Sequence, residues 1–98
     1  MYLKVHRDQG KKIVAACDRK LIGRVLQEGT SHMDLDTYRS FYVGDVAGSR
    51  ELESELREFN SANLVGKKAV DVAVALELAS KDSVMYINNV PYIQIYKI

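Results

Sequence analysis

The residues with the clearest chemical meaning are a glycine and two lysines within the stretch NLVGKK, residues 63–68. A glycine at the start of a helix leaves backbone amides free, and lysines beside it add positive charge, so the stretch can hold a phosphate. It is not a P-loop, because the spaced glycines and the following serine or threonine are missing. A tight turn with solvated lysines explains the same pattern, and both interpretations stay open. The candidate anion-binding residues here are Asn63, Gly66, Lys67 and Lys68.

A second candidate surface is a basic and aromatic face of a β-sheet. If an N-terminal and a C-terminal hairpin are neighbours in one sheet, six side chains can share this face, namely Tyr2, Lys4, His6, Lys12, Tyr92 and Tyr96. Faces of this composition stack bases and contact phosphates in sheets that bind RNA or single strands. Ordinary solvent-facing strand residues have the same composition, so this pattern also has two interpretations.

Catalytic and metal-binding residues are not indicated by the pattern of cysteine and histidine. A nucleophilic Cys17 would need a base within reach. The expected strand register places His6 on the opposite face, and His32 lies in a segment of uncertain structure. We therefore expect a buried, inert thiol and no catalytic residue. The three side chains lack the close-spaced pairs of structural zinc sites, so neither a metal nor a cofactor is expected.

Length and composition favour one globular domain over residues 1–98. The chain is 47% hydrophobic and 28% charged, as is usual for a folded protein. Its net charge of +1 does not by itself predict binding to nucleic acid or to an anionic membrane. A single cysteine excludes an internal disulfide and suits a reducing compartment. No apolar run approaches the roughly 18 residues of a membrane span, so we expect a cytoplasmic protein with no membrane partner.

The element around which the fold is expected to form is the apolar segment Asn60–Ser80. Its valines and leucines alternate with other residues between positions 70 and 78, which is the period of a strand. The run is too long for an ordinary strand, however, and it is rich in alanine, which favours helix. We predict a core helix, capped by Ser61 or Asn63. Its buried stripe would consist of Val65, Ala69, Val72, Leu76 and Ala79.

The N-terminal part of the chain is predicted to be a β-hairpin. Residues Tyr2–Arg7 and Lys11–Cys17 alternate in polarity, and a three-residue loop ending in Gly10 lies between them. A glycine at that place suits a type I turn followed by a left-handed residue. This loop pairs Val5 with Ile13. The predicted core face consists of Leu3, Val5, Ile13, Ala15 and Cys17.

The C-terminal segment Val84–Ile98 is predicted to be a second hairpin. Asn88 and Asn89 tolerate positive φ, as a two-residue type I′ turn requires. This turn pairs Ile87 with Val90.

The middle of the chain gives weaker patterns. Asp18 could cap a short helical turn that reaches Leu26. His32–Asp36 and Arg39–Val46 could be strands. A helix is expected from the N-cap Ser49, with an apolar stripe of Leu52, Leu56 and Phe59.

Four motifs in this order resemble the domain-of-unknown-function 424 family of small archaeal proteins. They are AACDRKLIGRVLQEG from Ala15, FYVG from Phe41, ANLVG from Ala62 and NNVPYIQI from Asn88. In that family the last motif usually reads Gly-Val-Pro-His-Ala-Gln-Ile, whereas Asn89 and Tyr92 replace the glycine and the histidine here. The missing histidine favours a binding or structural role over chemistry at that position. The resemblance implies an archaeal cytosolic protein and no particular activity.

Together these patterns predict an α+β domain. Its antiparallel sheet contains the N- and C-terminal hairpins, and two main helices pack on one face of that sheet. The predicted function is a non-catalytic binding or accessory factor whose partner is RNA or a nucleoprotein. The alternative is a protein–protein interaction or homo-oligomeric module, and an enzyme with an unrecognised site is a third possibility.

Overall fold

The chain forms a six-stranded sheet and a separate two-stranded hairpin in a computed structural model that describes residues 1–97. Ile98, the last residue of the predicted second hairpin, lies outside the described residues. The order in the large sheet is β5-β1-β2-β6-β8-β7, and β3 pairs with β4. The elements are β1 (Tyr2–Asp8), β2 (Lys11–Cys17), β3 (Val25–Glu28), β4 (Ser31–Asp34), α1 (Arg39–Tyr42), β5 (Asp45–Val46), α2 (Ser49–Glu55), β6 (Ser61–Val65), α3 (Lys67–Ala75), β7 (Met85–Ile87) and β8 (Val90–Tyr96).

The large sheet is mixed, so the prediction of an antiparallel sheet is wrong at one position. Strands β2 and β6 run parallel, from the pair Ile13 and Ser61 to the pair Cys17 and Val65. The other neighbours in the sheet are antiparallel. Parallel neighbours need a long crossover connection, and here α2 lies within that connection. The mixed α+β content itself agrees with the prediction.

The predicted core helix is shorter than the apolar segment that suggested it. Helix α3 covers Lys67–Ala75, while the predicted caps Ser61 and Asn63 lie in the strand β6. Gly66, with a φ of 101°, separates the two elements. Leu76 follows the helix and is only partly buried. The apolar segment therefore contains two consecutive elements, a strand and a helix, and the alternating residues 70–75 lie in the helix.

The first hairpin has a register that differs by one residue from the predicted one. Val5 is opposite Val14. Gln9 and Gly10 have φ values of 51° and 77°, as the two central residues of a type I′ turn do. The turn thus has two residues and not three. A shift of one residue moves every side chain of β2 to the other face. Lys12, Val14 and Ala16 share a face with Leu3, and Ile13, Ala15 and Cys17 share the opposite one.

Both faces of the large sheet are covered by other parts of the chain. On one face, sheet residues such as Leu64 form a core with Leu52 of α2, with Leu56 directly after that helix, and with Val70 of α3. On the other face, Cys17 belongs to a second core with residues of the segment between β2 and α1. The second core consists of Cys17, Leu21, Leu26, Leu35, Val65 and Ile87. The middle segment therefore covers part of the face that was expected to be open.

The middle segment differs from its predicted elements in several places. A single 3-10 turn, Arg19–Leu21, and the strand β3 replace the predicted helical turn. The predicted strand Arg39–Val46 is the short helix α1 followed by β5. Helix α2 begins at Ser49, which is not its cap. Gly48 precedes the helix, and its N–H donates to Glu51 Oε2 at 3.3 Å.

The predicted turn of the second hairpin is confirmed. Asn88 and Asn89 have φ values of 49° and 63°. Ile87 is opposite Val90, as that turn requires.

The core assignment can be tested by truncating Leu64, which is completely buried in β6. Leu64→Ala should lower the free energy of unfolding by about 2–5 kcal/mol, because it removes core contacts and leaves a cavity. Lys68→Ala, at an exposed side chain, should cost under about 0.5 kcal/mol, and Leu76→Ala should fall between the two. Urea unfolding of the three variants measures this order. Equal costs for Leu64→Ala and Lys68→Ala would contradict the assigned burial.

Candidate anion-binding cleft

The candidate site is built around a buried carboxylate at the ends of the two parallel strands. Asp18 follows β2 and Gly66 follows β6, so parallel pairing places them side by side. The Asp18 carboxylate accepts hydrogen bonds from the backbone N–H groups of Lys68 and Ala69, both at 3.1 Å. Its own N–H donates to the Val65 carbonyl at 3.0 Å. Asp18 thus stabilises the start of α3, where a negative charge and hydrogen-bond acceptors are both favourable.

Gly66 is required at this place for two physical reasons. Its φ of 101° lies in the left-handed region, which favours glycine. A Cβ atom on Gly66 would also lie only 2.4 Å from Cγ of Asp18. The Gly66 N–H donates to the Pro91 carbonyl at 2.8 Å, which fixes the backbone there from the side of β8. The glycine therefore lets the carboxylate reach the helix amides.

Four cationic side chains surround this carboxylate. Arg19 and Lys20 follow Asp18 in the chain, and Lys67 and Lys68 begin α3. All four are exposed and line a cleft of about 580 Å³, together with Met1, Tyr2 and Asp18. We call this feature the basic cleft. It concentrates positive charge in a chain whose net charge is only +1.

Two contacts hold cations of the basic cleft in place. Lys67 Nζ lies 2.8 Å from Asp71 Oδ2, and this hydrogen bond, with the charge of Asp71, raises the pKa of Lys67 above its ordinary value. Lys67 therefore keeps its positive charge throughout the physiological range. The Arg19 guanidinium lies 5.8 Å from the centroid of the Tyr2 ring, within the range of a cation–π contact.

Sequence reasoning identified only half of the basic cleft. Lys67 and Lys68 were candidates and line the cleft, and the candidate Gly66 packs against Asp18 beside it. Asn63 was a candidate too, but its side chain lies in β6, where Oδ1 accepts a hydrogen bond from Gln94 Nε2 at 2.7 Å. Arg19 and Lys20 were missed, because only the parallel pairing of distant strands brings them near α3. The sequence feature that could have identified Arg19 and Lys20 is their position directly after Asp18.

The predicted basic and aromatic face is partly covered by α1. Tyr2, Lys4 and His6 do share one face of β1, and Tyr92 and Tyr96 share the corresponding face of β8. Lys4 Nζ, however, donates to the Ser40 carbonyl at 2.7 Å. His6 is stacked on Phe41 with ring centroids 4.6 Å apart, and its Nε2 lies 2.8 Å from the Phe41 carbonyl oxygen.

The remaining residues of this face are not brought together. Tyr92 packs against the second core and is half-buried, whereas Tyr96 is 70% exposed. Lys12 lies on the opposite face and forms a salt bridge of 2.9 Å with Glu55. It lines a second cleft, of about 490 Å³, at the other end of β2, together with Arg7, Arg57 and Lys97.

Cys17 lies next to the basic cleft but is completely buried. Burial raises the pKa of its thiol to about 12, and the neighbouring charge of Asp18 acts in the same direction. Its Sγ lies 3.4 Å from the Asp18 carbonyl oxygen. The thiol is therefore neutral at physiological pH, as the predicted inert role requires.

Neither a metal-binding cluster nor a membrane-spanning helix is found in residues 1–97. In this part of the chain, no cluster of three or more His, Cys, Asp or Glu side chains is placed to hold a metal ion. None of the helices described is long and apolar enough to cross a membrane.

A family profile described as "Protein of unknown function (DUF424)" matches residues 6–98. The chain belongs to this family. The resemblance to this family is thereby confirmed. Asp18, Arg19 and Lys20 lie in the first of the four motifs, and Gly66 ends the third, so these two motifs meet beside the basic cleft.

A solved structure shares the fold of this DUF424 chain. It is the crystal structure of an uncharacterized conserved protein from Methanopyrus kandleri, with a TM-score of 0.80 and 23% sequence identity. The match covers 97% of this chain and 89% of that one. No curated protein matches the chain.

The role of Asp18 can be tested by Asp18→Ala. We expect a loss of about 1–2 kcal/mol in the free energy of unfolding, because the amides of Lys68 and Ala69 lose their acceptor. Asp18→Asn should lose less, since its side-chain oxygen can still accept a hydrogen bond. Asp71→Ala removes a carboxylate from an exposed ion pair on the same helix and should cost under about 0.5 kcal/mol. Urea unfolding at pH 7 measures the three values, and equal losses for Asp18→Ala and Asp71→Ala would refute the role of Asp18.

The environment of Cys17 predicts slow reaction with thiol reagents. The thiolate is the nucleophile, and a pKa near 12 leaves almost none of it at pH 8. Labelling of the folded protein at pH 8 should be slow, and it should become fast in denaturant, where the thiol is exposed and its pKa returns to the ordinary value. In the folded state the rate should keep rising up to pH 10 without a plateau. Equal rates in the folded and denatured protein would show that the thiol is accessible.

Proposed function

We propose that the chain is a non-catalytic binding protein whose basic cleft holds phosphates of an RNA or of a nucleoprotein. The observation that carries this proposal is the gathering of Arg19, Lys20, Lys67 and Lys68 around one opening. Clusters of this kind on a nearly neutral protein are the electrostatic footprint of a polyanionic partner.

The occupied helix amides favour a polyanion over a single small phosphate. A lone phosphate at a helix start gains most from free N–H groups, and the amides of Lys68 and Ala69 already donate to Asp18. Attraction between one pair of exposed charges is worth only about 1 kcal/mol in water at 4 Å. A chain of phosphates can engage several cations and release the counterions condensed on the nucleic acid, which gives useful affinity from exposed side chains.

Tyr2 adds an aromatic ring beside these cations. The ring is half-buried and lies next to the Arg19 guanidinium. An aromatic ring at the margin of a basic groove can stack an unpaired base, with a contribution of about 1–3 kcal/mol per base. The combination of cations and one aromatic ring supports a single-stranded partner.

The experiment compares two double variants of equal charge change by fluorescence anisotropy on a pool of single-stranded RNA. Lys67→Ala with Lys68→Ala should weaken binding. It should also make the dependence of log K on log salt shallower by about 0.7 for each phosphate contact removed. Arg24→Ala with Arg50→Ala removes two exposed cations that line neither cleft and serves as the matched control. The control should bind like the parent.

A third variant separates the basic cleft from the exposed end of the sheet. Tyr96→Ala should leave RNA binding unchanged if the basic cleft carries it. A loss confined to Tyr96→Ala would move the site to the sheet face. Absence of RNA binding by the parent protein, or an equal loss in the control double variant, would overturn the proposal.

A further inference from the structure

The second half of β8 is an open edge of the large sheet. Strand β7 pairs with β8 only from Val90 to Tyr92. Beyond that point, β8 has β6 as its neighbour on one side. The remaining residues, 93–96, therefore form the outer border of the sheet at this end.

The direction of the backbone groups on this edge follows from the ladder with β6. The Lys97 N–H donates to the Asn60 carbonyl, and the Pro91 carbonyl accepts from Gly66, so odd-numbered residues of β8 face β6. Because hydrogen-bonding directions alternate along a strand, Gln94 and Tyr96 face away from β6. Their N–H and C=O groups have no backbone partner within residues 1–97.

This edge lacks the features by which proteins usually protect a sheet edge. Natural edges carry charges, proline or bulges, or are covered by other elements. The sequence IQIY of residues 93–96 contains no charged residue and no proline. Tyr96, Met85 and Tyr86 are 70%, 58% and 62% exposed, and all three lie on β7 or β8. Residues 93–96 are thus uncharged, and their outward-facing backbone groups are open.

The opposite border of the sheet, formed by β5 and β1, is protected in these ways. Strand β5 pairs with Tyr2 and Leu3 of β1. The next residues of β1 are held by α1 through the bonds of Lys4 and His6 described above, and Arg7 and Asp8 place charges at the end of the strand. Within residues 1–97 the β8 border differs from the β1 border, because its unpaired backbone groups belong to the uncharged stretch of residues 93–96.

We infer that two copies of this chain associate through antiparallel pairing of their β8 edges across a two-fold axis near Ile95. In this arrangement Gln94 of one copy is opposite Tyr96 of the other, and each outward-facing N–H and C=O group gains a partner. A two-fold interface requires a surface that is complementary to itself. An uncharged strand edge can pair with its own copy in antiparallel orientation without placing like charges opposite each other. The exposed Tyr96 and Met85 side chains of both copies would flank the new strand pair. A second copy fits this edge better than a nucleic acid, which would need cations here.

The oligomeric state tests the inference through light scattering coupled to size-exclusion chromatography. The nuclease-treated parent should approach twice the monomer mass as its concentration rises, at both low and high salt. Gln94→Pro removes an outward N–H and leaves the ladder with β6 intact, so it should give a folded monomer. Tyr96→Lys introduces a charge at the edge and should also give a monomer, which keeps the test valid if the proline variant fails to fold. Tyr38→Lys alters a tyrosine of similar exposure, 65%, outside this edge and should stay dimeric.

Amide hydrogen exchange supplies a residue-specific measurement on the same samples. The amides of Ile93 and Ile95, which face β6, should be protected at every concentration. The amides of Gln94 and Tyr96 should gain protection only as the dimer forms. A parent that stays monomeric at several hundred micromolar would overturn the inference. A dimer that persists in folded Tyr96→Lys with Gln94 unprotected would overturn it as well.

Discussion

The hydrogen bonds between the Asp18 carboxylate and the first amides of α3 determine how the two halves of the chain fit together. They join residues 50 and 51 positions apart, across the ends of two parallel strands. Loss of the acceptor that caps a helix start typically costs about 1–2 kcal/mol, so these bonds favour one position of the carboxylate. Gly66 leaves the room that this carboxylate fills. This contact joins the start of α3 to the end of β2 and so places Arg19 and Lys20 near Lys67 and Lys68.

The sequence predicts both hairpins because the conformation of a turn depends mainly on the residues within it. The predicted register is wrong where the same residues are compatible with two types of turn. At Asn88 and Asn89, both residues tolerate positive φ, and the predicted register is correct. At residues 8–10, the glycine suited a three-residue loop, yet Gln9 adopts a φ of 51° and the loop has two residues. That single difference moved Lys12 to the opposite face of the sheet, because side chains alternate along a strand.

The candidate site was only partly predictable, because its parts meet through contacts that no local pattern shows. The lysines beside Gly66 are recognisable, since glycine and positive charge are adjacent in the chain. The carboxylate that accepts from the helix amides follows a different strand. Its approach depends on the parallel pairing of β6, which lies in the segment from which a core helix was predicted. Similarly, the cover over His6 comes from α1, in a segment whose period favoured a strand. Local periodicity describes an element, whereas a site of this kind depends on which distant elements become neighbours.

The two proposed surfaces bind through different interactions, so one can hold RNA while the other holds a second copy of the chain. The basic cleft attracts a partner through exposed charges, whose effect is screened by salt over roughly 10 Å at 0.1 M ionic strength. The β8 edge gains affinity from backbone hydrogen bonds and apolar contact, which salt hardly affects. Pro91 of β8 bonds to Gly66 beside the cleft, while Gln94 and Tyr96 lie further along the strand. A two-fold dimer through that edge would carry two basic clefts. An RNA long enough to reach both would bind the second one as an intramolecular step, so a cleft of modest affinity would suffice for stable binding.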